Sequence, residues 1–334
     1  MAVRLRGESG WLATHKKAYG QRWGGLHRAL LAPVDHVALV NPFLPVAAQT
    51  QYQEEHKLKS HESIPFVFEM CQTERVRDED EFDRVDVEQD LLPCYHLDGA
   101  SVMAALALEV APGEKVLDLC AAPGGKSLVI ASQLFMGAKG GVLVCNESSR
   151  PRCQRLRRVL ETFLPSELTA VGGCVHVTNC DVLGGGSGAG DVPVPVQRLG
   201  PFDKVLVDAP CSSDRHLAQQ GSAALAKWAT GTVKANAERQ LELLRCAARL
   251  VRPGGLILYA TCALSETEND AVVSKFLQKD VAFGVETSEV GGKESDDDPT
   301  SLHFKGAERT VSGMQILPDR TPYGPIYFAR LRRL

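Results

Sequence analysis

The chain has 334 residues, 44% of them hydrophobic and 23% charged, with a formal net charge of −4. That length accommodates one large domain plus an extension, or two smaller domains, and the balance is ordinary for a soluble globular protein. No apolar stretch approaches the ~20 residues of a membrane-spanning helix. The slight acidity excludes a surface coated in positive charge, so any nucleic-acid contact has to be local.

The first 28 residues hold Arg4, Arg6, Lys16, Lys17, Arg22 and Arg28 against the single acid Glu8, a bias that reads as an organelle-targeting segment or a basic arm, or as a solvated face. Residues 1–60 read as mostly helical, with apolar spacing in "LHRALLAPVDHVALV" (26–40). Residues 74–90, with nine acids against three bases, read as an exposed linker. From about residue 98 short apolar runs alternate with helical stretches: "KVLDLC" (115–120), "GVLVCN" (141–146), "CVHVTN" (174–179), "DKVLVD" (203–208) and "GGLILYA" (254–260). Helical periodicity fills the gaps, most clearly at 233–251, where "RPGG" stops it. Apolar strands separated by helices predict an α/β fold whose mostly parallel sheet is covered on both faces. The division expected is a helical extension with its acidic linker over 1–97, then one α/β domain over 98–334. Two insertions, 184–197 and 291–301, read as loops by composition.

Ten cysteines are scattered along the chain and none forms a C-x-x-C pair, so no structural zinc is expected. Several lie in apolar runs, as reduced core cysteines do, which points to a reducing compartment.

"VLDLCAAPGGKS" (116–127) is a strand running into a glycine-rich turn and a helix. Ligands of open parallel sheets sit beyond the carboxyl ends of such strands, next to the amides of a helix start. A Walker A loop would need glycine where Cys120 stands, and G-x-G-x-x-G is absent, so the turn suits a nucleoside without phosphates. Glu147, after the second strand, is placed to accept from ribose hydroxyls, and Asp181, after the third, to receive an adenine amino group. The plainer alternatives are a helix-start acid and a loop acid.

The fourth strand ends in "LVDAPCSSD" (206–214) and the fifth in "YATCALSETEND" (259–270), each placing a cysteine, Cys211 or Cys262, just past its strand. Strands four and five are expected to be neighbours, which brings both thiols to one cleft. Either cysteine alone would read as inert.

On "LDLCAAPGGKS", "VLVDAPCSSD" and "YATCALSETEND" the chain resembles the Nop/Sun-domain RNA cytosine-5 methyltransferases; "YGQRWGGLHRALL" (19–31) and "GPIYFARLRRL" (324–334) look most like their mitochondrial ribosomal-RNA branch. The resemblance covers roughly 19–334. It implies a class I methyltransferase-like fold, a doubly wound, mostly parallel seven-stranded sheet, with S-adenosylmethionine as cofactor. It also implies a cofactor site of Cys120, Ala121, Pro123, Gly124, Gly125, Lys126, Glu147, Arg152, Asp181 and Asp208. In the family the cysteine matching Cys262 is the nucleophile and the one matching Cys211 helps release product; Asp208 stabilises the adduct and Lys126 assists. Lys126 and Arg152 also read as exposed helix bases. The implied partners are ribosomal RNA, a large-subunit assembly intermediate and a helical-repeat protein of the mitochondrial termination-factor family, with a mitochondrial location. Two other readings stay open: an assembly or RNA-binding factor with little or no turnover, and a DNA cytosine methyltransferase with a Pro210-Cys211 nucleophile, against which the second cysteine counts.

Overall fold

The computed structural model describes residues 5–61, 67–69, 91–136, 140–184, 194–286 and 306–334. The acidic stretch 74–90 and the insertion 291–301 lie outside these residues, as do 185–193 of the glycine-rich stretch, whose remainder enters the short helix Val194–Leu199.

Helix Gly7–Tyr19 is followed by helix Trp23–Leu31, where the helical pattern stops. Pro33 has no N–H to continue the ladder, and the β-branched run beyond it favours extended backbone. Residues 36–40, expected to be helical, are strand β1 (His36–Val40). With β2 (Lys59–Ser60), β3 (Val67–Glu69) and β4 (Cys94–Asp98) it forms an antiparallel sheet in the order β2-β3-β1-β4, so the extension carries a sheet as well as helices. The basic N-terminal segment is not a detached arm either. From Gly7 it is folded, with Trp11 and His15 buried, and Arg22 is spent on Asp319 and Glu308 at 2.6 Å each.

The main sheet begins with β5 (Lys115–Asp118), β6 (Val142–Asn146), β7 (Val175–Thr178), β8 (Phe202–Asp208) and β9 (Val251–Thr261), all parallel. Four antiparallel strands follow: β10 (Phe283–Val285), β11 (Ala307–Arg309), β12 (Met314–Ile316) and β13 (Ile326–Arg333). The order is β11-β12-β13-β9-β8-β5-β6-β7, with β10 on β13, nine strands among the described residues where seven were expected. The surplus comes from three-residue strands such as β10 and β11, too short to leave a periodicity.

Alternate side chains of each parallel strand feed opposite cores. Val116, Leu143, Leu206 and Leu258 face the helices Gly99–Leu106, Gly125–Phe135 and Arg150–Phe163. Leu117, Val144, Val205 and Ile257 face Thr230–Leu250 and Asp270–Lys279. A third cluster joins Trp11, Trp23 and Leu26 to Trp228, Leu264 and Leu317. The chain leaves β5 toward β6 and β7 on one side and returns to place β8 on the other. That reversal opens a crevice at the carboxyl ends of β5 and β8. No described helix is long and apolar enough to cross a membrane.

Asn41 ties the small sheet to the end of the helix Arg150–Phe163. Fully buried, it donates from Nδ2 to the carbonyls of Leu92 (2.9 Å) and Phe163 (2.8 Å), while its Oδ1 accepts from the Phe43 amide (3.0 Å). Asn41→Ala strands three backbone groups and is expected to cost about 3 kcal/mol, read as a drop in the urea midpoint.

Candidate active site

The turn after β5 owes its shape to two glycines. Gly124 has φ +126°, and a Cβ there would lie 2.9 Å from Val159 Cγ1; one on Gly125 would lie 3.0 Å from Tyr95 Cε1. The backbone therefore passes close beneath the crevice with its helix-start amides bare of side chains. Asp118, at the end of β5, accepts from Ser127 Oγ at 2.7 Å and fastens the turn to the following helix. Burial pushes its carboxyl up to about 7, against the Ser127 hydrogen bond. Cys120 and Ala121 line this turn, and desolvation raises the Cys120 thiol far above its ordinary value, which disfavours its thiolate.

Glu147, directly after β6, is buried; its Oε1 accepts the Ser149 amide at 2.8 Å and its Oε2 lies 3.2 Å from Arg152 Nη1. Arg152 also donates to the Ala122 carbonyl at 2.7 Å, so one guanidinium bridges the glycine turn and the acid. Asp181 lies on the rim, where its Oδ1 accepts the Leu183 amide at 3.0 Å. Together Cys120, Glu147, Arg152 and Asp181 border a cleft of about 330 Å³, counting the space open to solvent. The cleft offers the hydrogen-bonding groups a nucleoside uses: donor amides at the helix start and two carboxylate acceptors, Glu147 buried and Asp181 exposed. Pro210 and Arg239 close its far wall, and Asn146 braces its floor by donating to the carbonyls of Leu119 and Cys180 at 3.1 Å each.

Parallel pairing of β8 with β9 sets Asp208 opposite Ala260. Cys211 and Cys262 follow the two strand ends, and their sulfurs are 3.2 Å apart. Ser213 Oγ lies 3.5 Å from Cys262 Sγ and 3.8 Å from Cys211 Sγ, presented by a left-handed residue at φ +50°. Lys126 Nζ donates to Asp208 Oδ2 at 2.8 Å and to Ser101 Oγ at 3.3 Å. Burial alone would push the ammonium down, but Asp208 outweighs it and raises it. The thiols divide in opposite directions. The Cys211 thiol donating toward it holds Cys262 below the ordinary thiol value, whereas Cys211, bonded to Cys262, buried and facing Glu268, stands well above.

The site residues named from sequence thus fall into two adjoining groups, the cleft with Glu147, Arg152 and Asp181 and the thiol pair, joined by Lys126 and Asp208. Pro123 is exposed at the crest of the turn. Sequence reasoning missed Ser213 and Arg239. Ser213 lies inside the second motif, but its backbone angle leaves no trace in residue type, and Arg239 lies on a helix whose exposed bases look alike.

A doubly wound sheet with a bare glycine turn after its central strand and an acid after the next is the architecture of a class I methyltransferase-like protein. Solved structures with this fold include a methyltransferase homolog from Pyrococcus horikoshii, 20% identical at TM-score 0.67 over 95% of this chain and 92% of that one. Another is NSun6 from the same organism, solved with SFG, 15% identical at TM-score 0.67 over 97% of each chain. The family model for the 16S rRNA methyltransferase RsmB/F matches residues 105–332, and the chain belongs to that family, whose methyl donor is S-adenosylmethionine. The mitochondrial tRNA (cytosine(34)-C(5))-methyltransferase of Mus musculus is 39% identical over 72% of this chain, which spans only 63% of that relative. The 5-cytosine rRNA methyltransferase NSUN4 of Mus musculus is 28% identical over 96% of this chain and 87% of its own length.

Gly124→Ala adds about 1–2 kcal/mol of left-handed strain to an overlap with Val159; the expected result is about tenfold or greater loss of S-adenosylmethionine affinity by calorimetry. Asp118 binds its proton more tightly folded than unfolded, so its contribution to stability is full at low pH and is lost as pH rises toward about 7. Urea titrations from about pH 4 to about pH 7 should therefore show Asp118→Asn gaining on the wild type as pH rises.

Proposed function

We propose that this protein is an S-adenosylmethionine-dependent RNA cytosine-5 methyltransferase that acts on mitochondrial ribosomal RNA through a covalent adduct between Cys262 and cytosine C6. The observation that carries the reading is the thiol pair, 3.2 Å apart and facing Asp208 and Lys126, with Pro210, the residue before Cys211, lining the cleft that Glu147 and Arg152 border. Cytosine C5 is too weak a nucleophile to take a methyl group unaided. Addition of a thiolate at C6 makes C5 enamine-like and able to attack.

The cofactor supplies the electrophilic sulfonium methyl. The turn Cys120–Lys126, Glu147, Arg152 and Asp181 hold its nucleoside part, with Asp208 at the junction of cofactor and base. Cys262, whose pKa is lowered by its neighbours, adds to C6 as the thiolate; Cys211, once its own thiol proton has passed to solvent, is by its raised pKa a strong base that takes the C5 proton after the methyl is in place. Loss of that proton re-forms the C5–C6 double bond and expels Cys262. Asp208 accepts from the cytosine N4 edge, and Lys126 fixes the carboxylate for that task. The base reaches this cleft only if it is splayed or flipped from its strand.

The near full-length match to the mouse rRNA methyltransferase supports ribosomal RNA as substrate. The higher identity to the mouse tRNA enzyme favours transfer RNA as a second reading, although it covers less of both chains. Competition between the two RNAs for methyl transfer decides between them. The names of two relatives, the tRNA (cytosine(34)-C(5))-methyltransferases of Mus musculus and Danio rerio, support a mitochondrial location. A net charge of −4 fits a protein that shares RNA binding with a helical-repeat partner of the mitochondrial termination-factor family on a large-subunit assembly intermediate.

Cys262→Ala is expected to abolish methyl transfer while RNA binding survives, and Cys211→Ala to accumulate a covalent RNA adduct visible as a shifted band on a denaturing gel. An adduct that forms in the Cys262→Ala variant would overturn the assignment of the nucleophile. Wild-type protein that binds cofactor but methylates no RNA would favour an assembly factor instead.

A further inference from the structure

Both thiol-bearing loops are fastened to one buried carboxylate that belongs to neither the cleft nor the thiol pair. Asp214, fully buried three residues past Cys211, accepts Ser212 Oγ at 2.9 Å and the Leu264 amide at 2.8 Å on its Oδ2. Leu264 follows Cys262 by two residues, so this one oxygen joins the segment after β8 to the segment after β9, beside the link that Glu268 Oε1 makes to the Ser212 amide at 3.0 Å. Its Oδ1 is held from the opposite end of the sequence. Trp11 donates from Nε1 at 2.8 Å and His15 from Nε2 at 3.1 Å, both from helix Gly7–Tyr19. Tyr19, at the end of that helix, donates to the Leu264 carbonyl at 3.0 Å. One N-terminal helix thus grips both cysteine loops from behind, more than 190 residues away in the chain, across |i−j| of 199 to 245.

We propose that Asp214 is a positioning residue for the thiol pair and that the N-terminal helix, through Trp11 and His15, completes the mount on which Cys211 and Cys262 are set. The inference rests on the reading of Cys262 as the nucleophile. A thiol–thiol separation of 3.2 Å allows one proton to be shared, and it persists only while both loops are held in place. Burial would push the Asp214 carboxyl up, but its hydrogen bond and charge interaction with His15, the Leu264 amide and Trp11 hold it below the usual carboxylate range. A carboxylate anchor with four donors, one of them from each cysteine loop, leaves little room for either loop to shift. The charged groups facing the thiols themselves are Asp208 and Lys126 beside Cys262 and Glu268 behind Cys211; those facing the anchor are His15, Tyr19 and Glu268.

The test reads thiol reactivity in the full chain, without RNA. Iodoacetamide alkylation of each cysteine is followed by peptide mass spectrometry from about pH 5 to about pH 10. Trp11→Phe removes one donor while keeping an aromatic ring, and Asp214→Asn removes the charge at constant size. Both variants are expected to alkylate Cys262 about tenfold more slowly at neutral pH, with the midpoint of its profile moved up by about one unit. S-adenosylmethionine affinity should stay within about twofold, since the cleft lies beyond Asp208. An unchanged Cys262 profile in both variants overturns the inference, and so does alkylation of the buried Cys246 in both, which would mean general loosening instead of lost alignment. Failure of the wild type to methylate any RNA would sink the proposed function yet leave the alkylation profiles readable, so the two failures are told apart.

Discussion

Parallel pairing between β8 and β9 is the constraint from which the site is built. With Asp208 set against Ala260, the two strands finish nearly level, and the loops leaving them start side by side. A cysteine placed just beyond either end is thereby brought close to the other. Slippage of the register would do more than misalign the ends. Moving one strand by a single residue turns each of its side chains to the opposite face, and Val205, Leu206, Ile257 and Leu258, which divide between two separate cores, forbid it. The distance between two reactive sulfurs is thus underwritten by packing well below them.

Electrostatics then distinguish two groups that are chemically identical. Lys126 and Ser213 lie on the side of Cys262, while Glu268 lies on the side of Cys211 and accepts the Ser212 amide at 3.0 Å. A cation and a hydroxyl favour charge on one sulfur, and a carboxyl disfavours it on the other. Asp208 opposes that bias, but its pairing with Lys126 at 2.8 Å blunts the opposition and leaves the carboxylate aimed at the crevice. At 3.2 Å apart, the two thiols are placed to share one proton.

Much of this was legible in the residues, and what was not has a common physical cause. The five parallel strands announced themselves as apolar runs, the glycine turn as a local break between strand and helix, and the thiols as a repeated placement beyond two strand ends. All of these are local signals. The misses are of two kinds. Strand β1 sits in a stretch whose apolar spacing also suits a helix, and only Pro33 hinted otherwise; residues in the three-residue strands β10 and β11 are too few to show a period. The contacts from Trp11 and His15 to Asp214 span about 200 positions, and no spacing rule connects residues that far apart.

The basic bias of the first 28 residues pointed toward an organelle-targeting segment, a basic arm or a solvated face, yet from Gly7 onward the structure packs that segment against the loops that carry the thiols. Burying a carboxylate is costly, and an apolar replacement of such a network is often no less stable. Asp214 satisfies that cost with donors drawn from three separate parts of the chain, a far more demanding arrangement than a hydrophobic contact, which would tolerate sliding. Directional bonds fix orientation where dispersion forces fix only proximity. A site that needs two sulfur atoms at a defined separation has a use for the first kind of interaction, and the rest of the N-terminal cluster, Trp23 and Leu26 against Trp228 and Leu317, supplies the second. The division between a catalytic sheet and an accessory extension therefore breaks down at Asp214, where the start of the chain becomes part of the frame around the thiols.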